Sequence, residues 1–168
     1  GTGFTVKDTT DASGLYLFPN LPPATYTVVF SNIPVGMNVT TTDAGANAND
    51  NTDSDGLTPP SITLTAGQNN LSIDLGLFNP VNLGDFVWYD QNNNGIQDIG
   101  EPGLAGATVK LYDSTATTQI GSSVITGANG LYSFTNLTPG NYVVGVTPPA
   151  GFKSSATDGG DPDNNSNT

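Results

Sequence analysis

The chain has 168 residues, with 15 Asp plus Glu against 3 Lys plus Arg, no His, no Cys and a formal net charge of −12. Nucleic acid is excluded as a partner because phosphate binding needs a basic face, and attraction to an anionic membrane surface is disfavoured on the same ground. Lack of Cys rules out disulfides and thiolate metal sites; without His, Cys or Arg the usual nucleophilic and phosphoryl-transfer centres cannot be assembled.

Hydrophobic residues make up 35% of the chain, while Gly (21) and Pro (12) are abundant, which fits many short strands joined by turns. No stretch sustains a 3.6-residue apolar period over three turns, and no run of 18 apolar residues occurs, so no significant helix and no membrane insertion are expected. The acids are nearly all Asp, clustered with Asn and Gly. That is a composition for holding cations, and an enzyme is not expected.

Taken in order, apolar–polar alternation predicts strands at Phe4–Lys7, Leu15–Phe18, Thr25–Phe30, Asn38–Thr41, Ser61–Leu64 and Leu71–Leu75. An acidic tract, D-A-G-A-N-A-N-D-N-T-D-S-D, runs from Asp43 to Asp55. Its Asp43, Asp50, Asp53 and Asp55 are candidate calcium ligands, although no fixed spacing assigns each one; the alternative is a solvated acidic loop. Beyond Asn79-Pro80, strands are predicted at Leu83–Tyr89, Thr108–Tyr112, Ser122–Ile125, Leu131–Phe134, Tyr142–Val146 and Lys153–Ala156. Turns fall at Ser13-Gly14, Pro22-Pro23, Asn129-Gly130 and Pro139-Gly140. A second acidic tract, D-G-G-D-P-D-N-N-S-N, offers Asp158, Asp161 and Asp163 as further calcium candidates. Regular short strands with this punctuation predict an all-β sandwich. Trp88, Tyr16 and Tyr132 are read as core residues rather than ligand platforms.

The most informative stretch is Asp90 to Glu101, D-Q-N-N-N-G-I-Q-D-I-G-E. Asp90, Asn92 and Asn94 hold the first, third and fifth places, Gly95 the sixth, Asp98 the ninth and Glu101 the twelfth. Every specified place of the calcium-loop pattern D-x-[DN]-x-[DN]-G-x5-E is met. The chemistry needs that spacing: calcium takes about 6–8 oxygens, and oxygens two residues apart converge as the chain curls round one ion. Glycine permits the sharp turn, the backbone carbonyl of Ile96 serves at the seventh place, and a terminal Glu closes the shell with two oxygens. Glu101 is the only glutamate in the chain. Both flanks read as strands, so the loop is EF-hand-like in ligand order only.

The chain also repeats itself. Thr10–Phe30 (TDASGLYLFPNLPPATYTVVF) matches Thr126–Val146 (TGANGLYSFTNLTPGNYVVGV) at an offset of 116 residues, and a slip of one then aligns Gly36 with Gly151. Residues 1–78 contain no counterpart of the Asp90–Glu101 loop, and residues 81–168 contain none of Ser61–Thr65 or Leu71–Phe78. The expected organisation is the C-terminal part of one repeat in 1–78 and the N-terminal part of the next in 79–168, with a period of about 116.

Several motifs run in a shared order: G-D-F-V-W-Y-D (Gly84–Asp90), the loop itself, E-P-G-L-A-G-A-T-V (Glu101–Val109), G-L-Y-S-F-T-N-L (Gly130–Leu137), P-G-N-Y (Pro139–Tyr142), D-S-D (Asp53–Asp55) and L-T-A-G (Leu64–Gly67). They resemble the B repeats of serine-aspartate-repeat surface adhesins, a branch of the CnaB-like β-sandwich domains. The resemblance implies a calcium-stabilised structural repeat in an extracellular surface protein, stalk or filament, whose partners are neighbouring repeats or identical subunits placed head to tail. Many CnaB-like domains carry a Lys–Asn isopeptide bond with its lysine on the first strand. Leu83–Tyr89 has no Lys, so none is expected. The alternative reading is an adhesin module that binds a protein or carbohydrate; the residues identify no such ligand.

Overall fold

The computed structural model describes residues 3–42 and 53–155. Every regular element among them is a β-strand, so the chain is all-β, as its composition predicts. It divides into two compact units, Gly1–Leu77 and Phe78–Thr168.

The first unit has three short strands, β1 (Ala24–Tyr26), β2 (Asn38–Val39) and β3 (Ile62–Leu64), and β4 (Leu77–Phe78) falls on the boundary. β1 runs antiparallel to β3, with Ala24 opposite Leu64, Thr25 opposite Thr63 and Tyr26 opposite Ile62. The Thr25 and Thr63 hydroxyls meet across that pair at 2.9 Å. β2 lies beside β4.

The second unit is better built. β5 (Val81–Phe86), β6 (Thr108–Tyr112), β7 (Gln119–Ile125), β8 (Leu131–Leu137) and β9 (Val143–Thr147) form two sheets, β5-β8 and β7-β6-β9, all antiparallel. β6 shows why the sheets stack. Alternate residues of T-V-K-L-Y point to one side, and Val109 and Leu111 are fully buried there. Opposite them sits Phe134 of β8, and Leu83, Val87, Ile120, Val124, Leu137 and Val144 fill in around the three. This is the interior of a β-sandwich.

Asp113 fastens the β6–β7 turn. Its Oδ1 accepts from the Thr115 amide and hydroxyl at 3.1 and 2.8 Å and from the Thr117 amide at 3.1 Å. The bond from the Thr115 hydroxyl leads the effects that hold its carboxyl down to about 2; desolvation opposes it next, and the Thr117 amide and Thr118 add to the lowering. A carboxyl depressed by folding contributes stability that is present above its unfolded value, near 4, and lost as pH falls towards 2. Acid titration of the second unit should show such a loss between about pH 4 and 2, and Asp113→Asn should remove it. Parallel acid profiles for the two proteins would refute this role.

The repeat seen in the letters recurs in the geometry. Tyr26 donates its hydroxyl to the Pro22 carbonyl at 2.6 Å, and Tyr142 donates to Thr138, the matching residue. Asn20 and Asn136 both turn left-handed, with φ of 57° and 61°. The Gly14 amide bonds to the Asp11 carbonyl as the Gly130 amide bonds to Gly127. Past the one-residue slip, Met37 bonds back to Pro34 as Phe152 does to Pro149.

Several predicted strands of the first unit do not form. Leu15–Phe18 is irregular although its twin is β8, and Thr25–Phe30 is a strand only as far as Tyr26 although its latter part matches β9. The cause is pairing. β8 is held by β5 and β9 by β6, and the described residues of the first unit contain no counterpart of β5 or β6. Alternation persists without the ladder: Tyr16 and Phe18 are half-buried while Leu15 and Leu17 are exposed. Phe4–Lys7, Leu71–Leu75 and the described part of Lys153–Ala156 are also irregular, and Ala156 lies outside the described residues.

The candidate metal loop

Asp90–Glu101 is an excursion closed by a β-neck. Where the chain goes in, the Val87 amide bonds to Gly130 O at 2.9 Å and the Tyr89 amide to Pro102 O at 2.9 Å. Where it comes out, the Leu104 amide bonds to Val87 O at 2.8 Å, and Trp88 pairs with Gly103 as an antiparallel bridge. The entry strand β5 stops at Phe86, short of the predicted Tyr89, and Trp88–Gly103 is an isolated bridge beyond it, while β6 follows the exit at Thr108. Thr126 secures the exit: its buried hydroxyl accepts from the Ala107 amide at 3.0 Å and donates to Leu104 O at 2.7 Å.

Inside the neck, the five predicted side-chain ligands form one network. Asp90 Oδ2 accepts from the Gly95 amide at 2.9 Å, and its Oδ1 from the Asn94 amide at 3.3 Å. Asn92 Oδ1 accepts from the Asn94 amide at 3.0 Å, and Asn94 Oδ1 from the Ile96 amide at 2.7 Å. Both side-chain amides donate to Asp98 Oδ2, at 2.8 and 2.9 Å. Glu101 joins the two ends, its Oε1 taking the Gln91 amide at 2.9 Å and its Oε2 the Asp98 amide at 3.1 Å. Gly95 is buried with φ 77° at the turn, where a side chain would be strained.

The donor set fits a hard cation. Each carboxylate or amide oxygen that accepts one amide hydrogen keeps a further lone pair, and all the donors are oxygen, the ligand atom calcium takes. Among the described residues no group of three or more acidic side chains gathers as a metal cluster; here two of the five donors are neutral asparagines.

One contact was not legible in the sequence. Partial burial pushes the Asp90 carboxyl upward, but hydrogen bonds from the Gly95 amide, the Ser155 hydroxyl and the Asn93 and Asn94 amides outweigh it and hold the group below its ordinary value. Phe152 packs edge-on against Tyr89, ring centres 5.3 Å apart. The segment after β9 thus returns to the loop. No spacing motif announces this, since Ser155 lies 65 residues from Asp90.

The other predicted ligands divide in two. Asp55 belongs to a tie in the first unit: its amide bonds to Asp74 O at 3.0 Å, and the Asp74 amide returns to Asp55 Oδ2 at 2.7 Å. Asp53 Oδ1 is buried with no hydrogen-bond partner among the described residues. Asp43, Asp50, Asp158, Asp161 and Asp163 lie outside the described residues. Tyr16 and Tyr132 are half-buried and lie edge-on to Phe18 and Phe134 at 5.6 and 6.1 Å, inside their units as predicted.

An all-β chain with an internal repeat and an oxygen-lined loop on a strand neck defines a β-sandwich repeat protein. The chain belongs to the SdrD B-like domain family, whose pattern matches residues 2–77 and again 81–168. It is 45% identical over 160 residues to serine-aspartate repeat-containing protein D of Staphylococcus aureus strain Newman, covering 94% of this chain and 12% of that protein. It is 39% identical over 157 residues to serine-aspartate repeat-containing protein F of Staphylococcus epidermidis strain ATCC 12228, covering 92% of this chain and 9% of that one. The chain thus spans about a tenth of the length of the curated relatives it matches. The family is one of surface-protein repeats, not of enzymes. No helix among the described residues is long and apolar enough to cross a membrane.

Proposed function

We propose that the chain is a calcium-stabilised structural repeat of an extracellular surface protein, and that it serves as a stalk or filament segment. The observation that carries this reading is the network of Asp90, Asn92, Asn94, Asp98 and Glu101 on its closed neck. These five side chains and the Ile96 carbonyl hold the ion. Calcium supplies positive charge where a chain of net charge −12 repels itself, and it links the two ends of a twelve-residue excursion that hydrogen bonds alone leave exposed.

The acidic tracts extend the same role. In the second unit Asp158, Asp161 and Asp163 are the further candidates for that role, by the chemistry of their oxygens. The buried, unpartnered Asp53 oxygen supports a second site in the first unit that includes Asp55, Asp43 and Asp50. The whole repeat is a unit of about 116 residues, of which residues 1–78 are the C-terminal part of one and 79–168 the N-terminal part of the next; its partners are neighbouring repeats or identical subunits, head to tail.

Thermal melting tests the calcium reading. Free calcium at about 100 times the dissociation constant stabilises by about 2.7 kcal/mol, which in a domain of this size raises Tm by roughly 10–20 °C. Chelator should remove that rise, and magnesium should restore little of it, because it demands a tighter octahedral shell. Superimposable melts in calcium and in chelator would reject the reading.

A further inference from the structure

Two asparagines of the loop are gripped from both ends. Asn92 Oδ1 accepts from the Asn94 amide at 3.0 Å, and Asn94 Oδ1 accepts from the Ile96 amide at 2.7 Å. Their Nδ2 nitrogens turn the other way, and both donate to a single oxygen, Asp98 Oδ2, at 2.8 and 2.9 Å. A carboxylate oxygen only accepts and a backbone N–H only donates. Rotating either side-chain amide by half a turn would therefore set donor against donor at one end and acceptor against acceptor at the other. The polarity of both amides is fixed.

That polarity matters to a cation. An asparagine serves an ion through its oxygen; turned round, it would present NH2 hydrogens to a positive charge. Asp98 is itself anchored. Its amide donates to Glu101 Oε2 at 3.1 Å, and the Glu101 amide returns to the Asp98 carbonyl at 3.2 Å. Both asparagine bonds land on Asp98 Oδ2, which leaves Oδ1 as the oxygen to offer an ion. The same arrangement accounts for asparagine at the third and fifth places, where the spacing pattern also allows aspartate. A carboxylate at either place would lie against that of Asp98, like charge on like charge.

We infer that Asp98 is a positioning residue as well as a ligand: through Oδ2 it clasps both amides, and so holds the oxygens of Asn92 and Asn94 in the orientation an ion requires. This rests on the calcium reading of the loop and adds a division of labour to it. Asp90 and Glu101 bring charge, Asn92 and Asn94 bring neutral oxygens, and Asp98 decides which atom each asparagine shows. Carboxylates commonly orient metal-binding histidines from behind; here the ligands held are amides. Loss of the clasp should be felt by both asparagines together, because one oxygen serves both.

The test uses the whole chain in calcium, with nuclear magnetic resonance of the side-chain NH2 groups and calorimetric titration. The Asn92 and Asn94 signals are assigned by their loss in Asn92→Ala and Asn94→Ala. In the parent both should be shifted from the position of a solvated amide and exchange slowly with water. Asp98→Ala should return both together to that position while the strand signals stay in place, since Asp98 is exposed and supports no core. Asp98→Asn, which keeps one acceptor oxygen, should fall between. In the titrations, Asn92→Ala should cost at least about threefold less calcium affinity in the Asp98→Ala background than in the parent, because residues that share a bond are coupled. Amide signals unmoved by Asp98→Ala, or calcium losses that simply multiply, overturn the positioning role. Signals that move together in a chain that binds no calcium sink the calcium reading alone; unmoved signals in a chain that binds it sink this inference alone.

Discussion

Gly130→Ala should cost the second unit about 3–5 kcal/mol, a large share of the stability of a domain this size. Gly130 has φ 73°, a region that costs an ordinary residue roughly 1–2 kcal/mol. A Cβ there would also run into the Val87 carbonyl and press on Gly103 Cα and the Leu104 amide. All three are backbone, so no side chain can swing aside. They are also the neck of the candidate metal loop: Val87 bonds to Gly130 and Leu104 bonds to Val87. The substitution should therefore weaken calcium binding along with the fold. Gly127→Ala is the control, because its Cβ would meet only the Asn129 side-chain oxygen at 3.4 Å; its cost should stay below about 1 kcal/mol. Urea denaturation of the three proteins makes the comparison, and a Gly130→Ala midpoint close to that of the parent would refute the steric account.

The contrast between the units shows what alternation can and cannot reveal. Thr108–Tyr112 was legible to the residue, because its apolar positions are buried and both of its edges are paired. Leu15–Phe18 carries the same signal as Leu131–Phe134, yet only the latter is a strand. Alternation reports which side of a segment faces the interior; a ladder needs a partner, and that partner is set by residues far along the chain. Leu71–Leu75 makes the same point. Ile73 and Leu75 are partly buried while Leu71 is exposed, and the Ile73 carbonyl binds Tyr16, but β4 forms only at Leu77–Phe78.

The loop was more legible than the fold, for a related reason. Twelve consecutive residues fix their own geometry through short-range bonds, such as Ile96 to Asn94 and Gly95 to Asp90, so spacing carries nearly all the information. What spacing could not supply is the support. Ser155 against Asp90, Thr126 at the exit and the Gly103–Gly130 approach all join segments that sequence leaves far apart. The acidic tracts lack both advantages, with neither a fixed spacing nor a local turn to order their oxygens.

Glu101→Ala should abolish most of the calcium affinity of the second unit. Replacing a group that merely orients a metal ligand costs roughly 10–100-fold in affinity; Glu101 would offer a bound ion two oxygens and carries one of three negative charges in the loop, so the loss should exceed 100-fold. Its carboxylate also holds the loop closed, with the Gln91 amide on one oxygen and the Asp98 amide on the other. Glu101→Gln separates these roles. It retains the shape and one acceptor oxygen while losing the charge and turning the other acceptor into a donor, so its affinity should fall between parent and Ala. Calorimetric titration with calcium should show the parent losing one binding event in Glu101→Ala, while melting in chelator, where no ion is bound, should separate the two proteins far less than melting in calcium. Were Glu101→Ala to bind calcium with the parent's affinity and stoichiometry, the Asp90–Glu101 loop would not be the site.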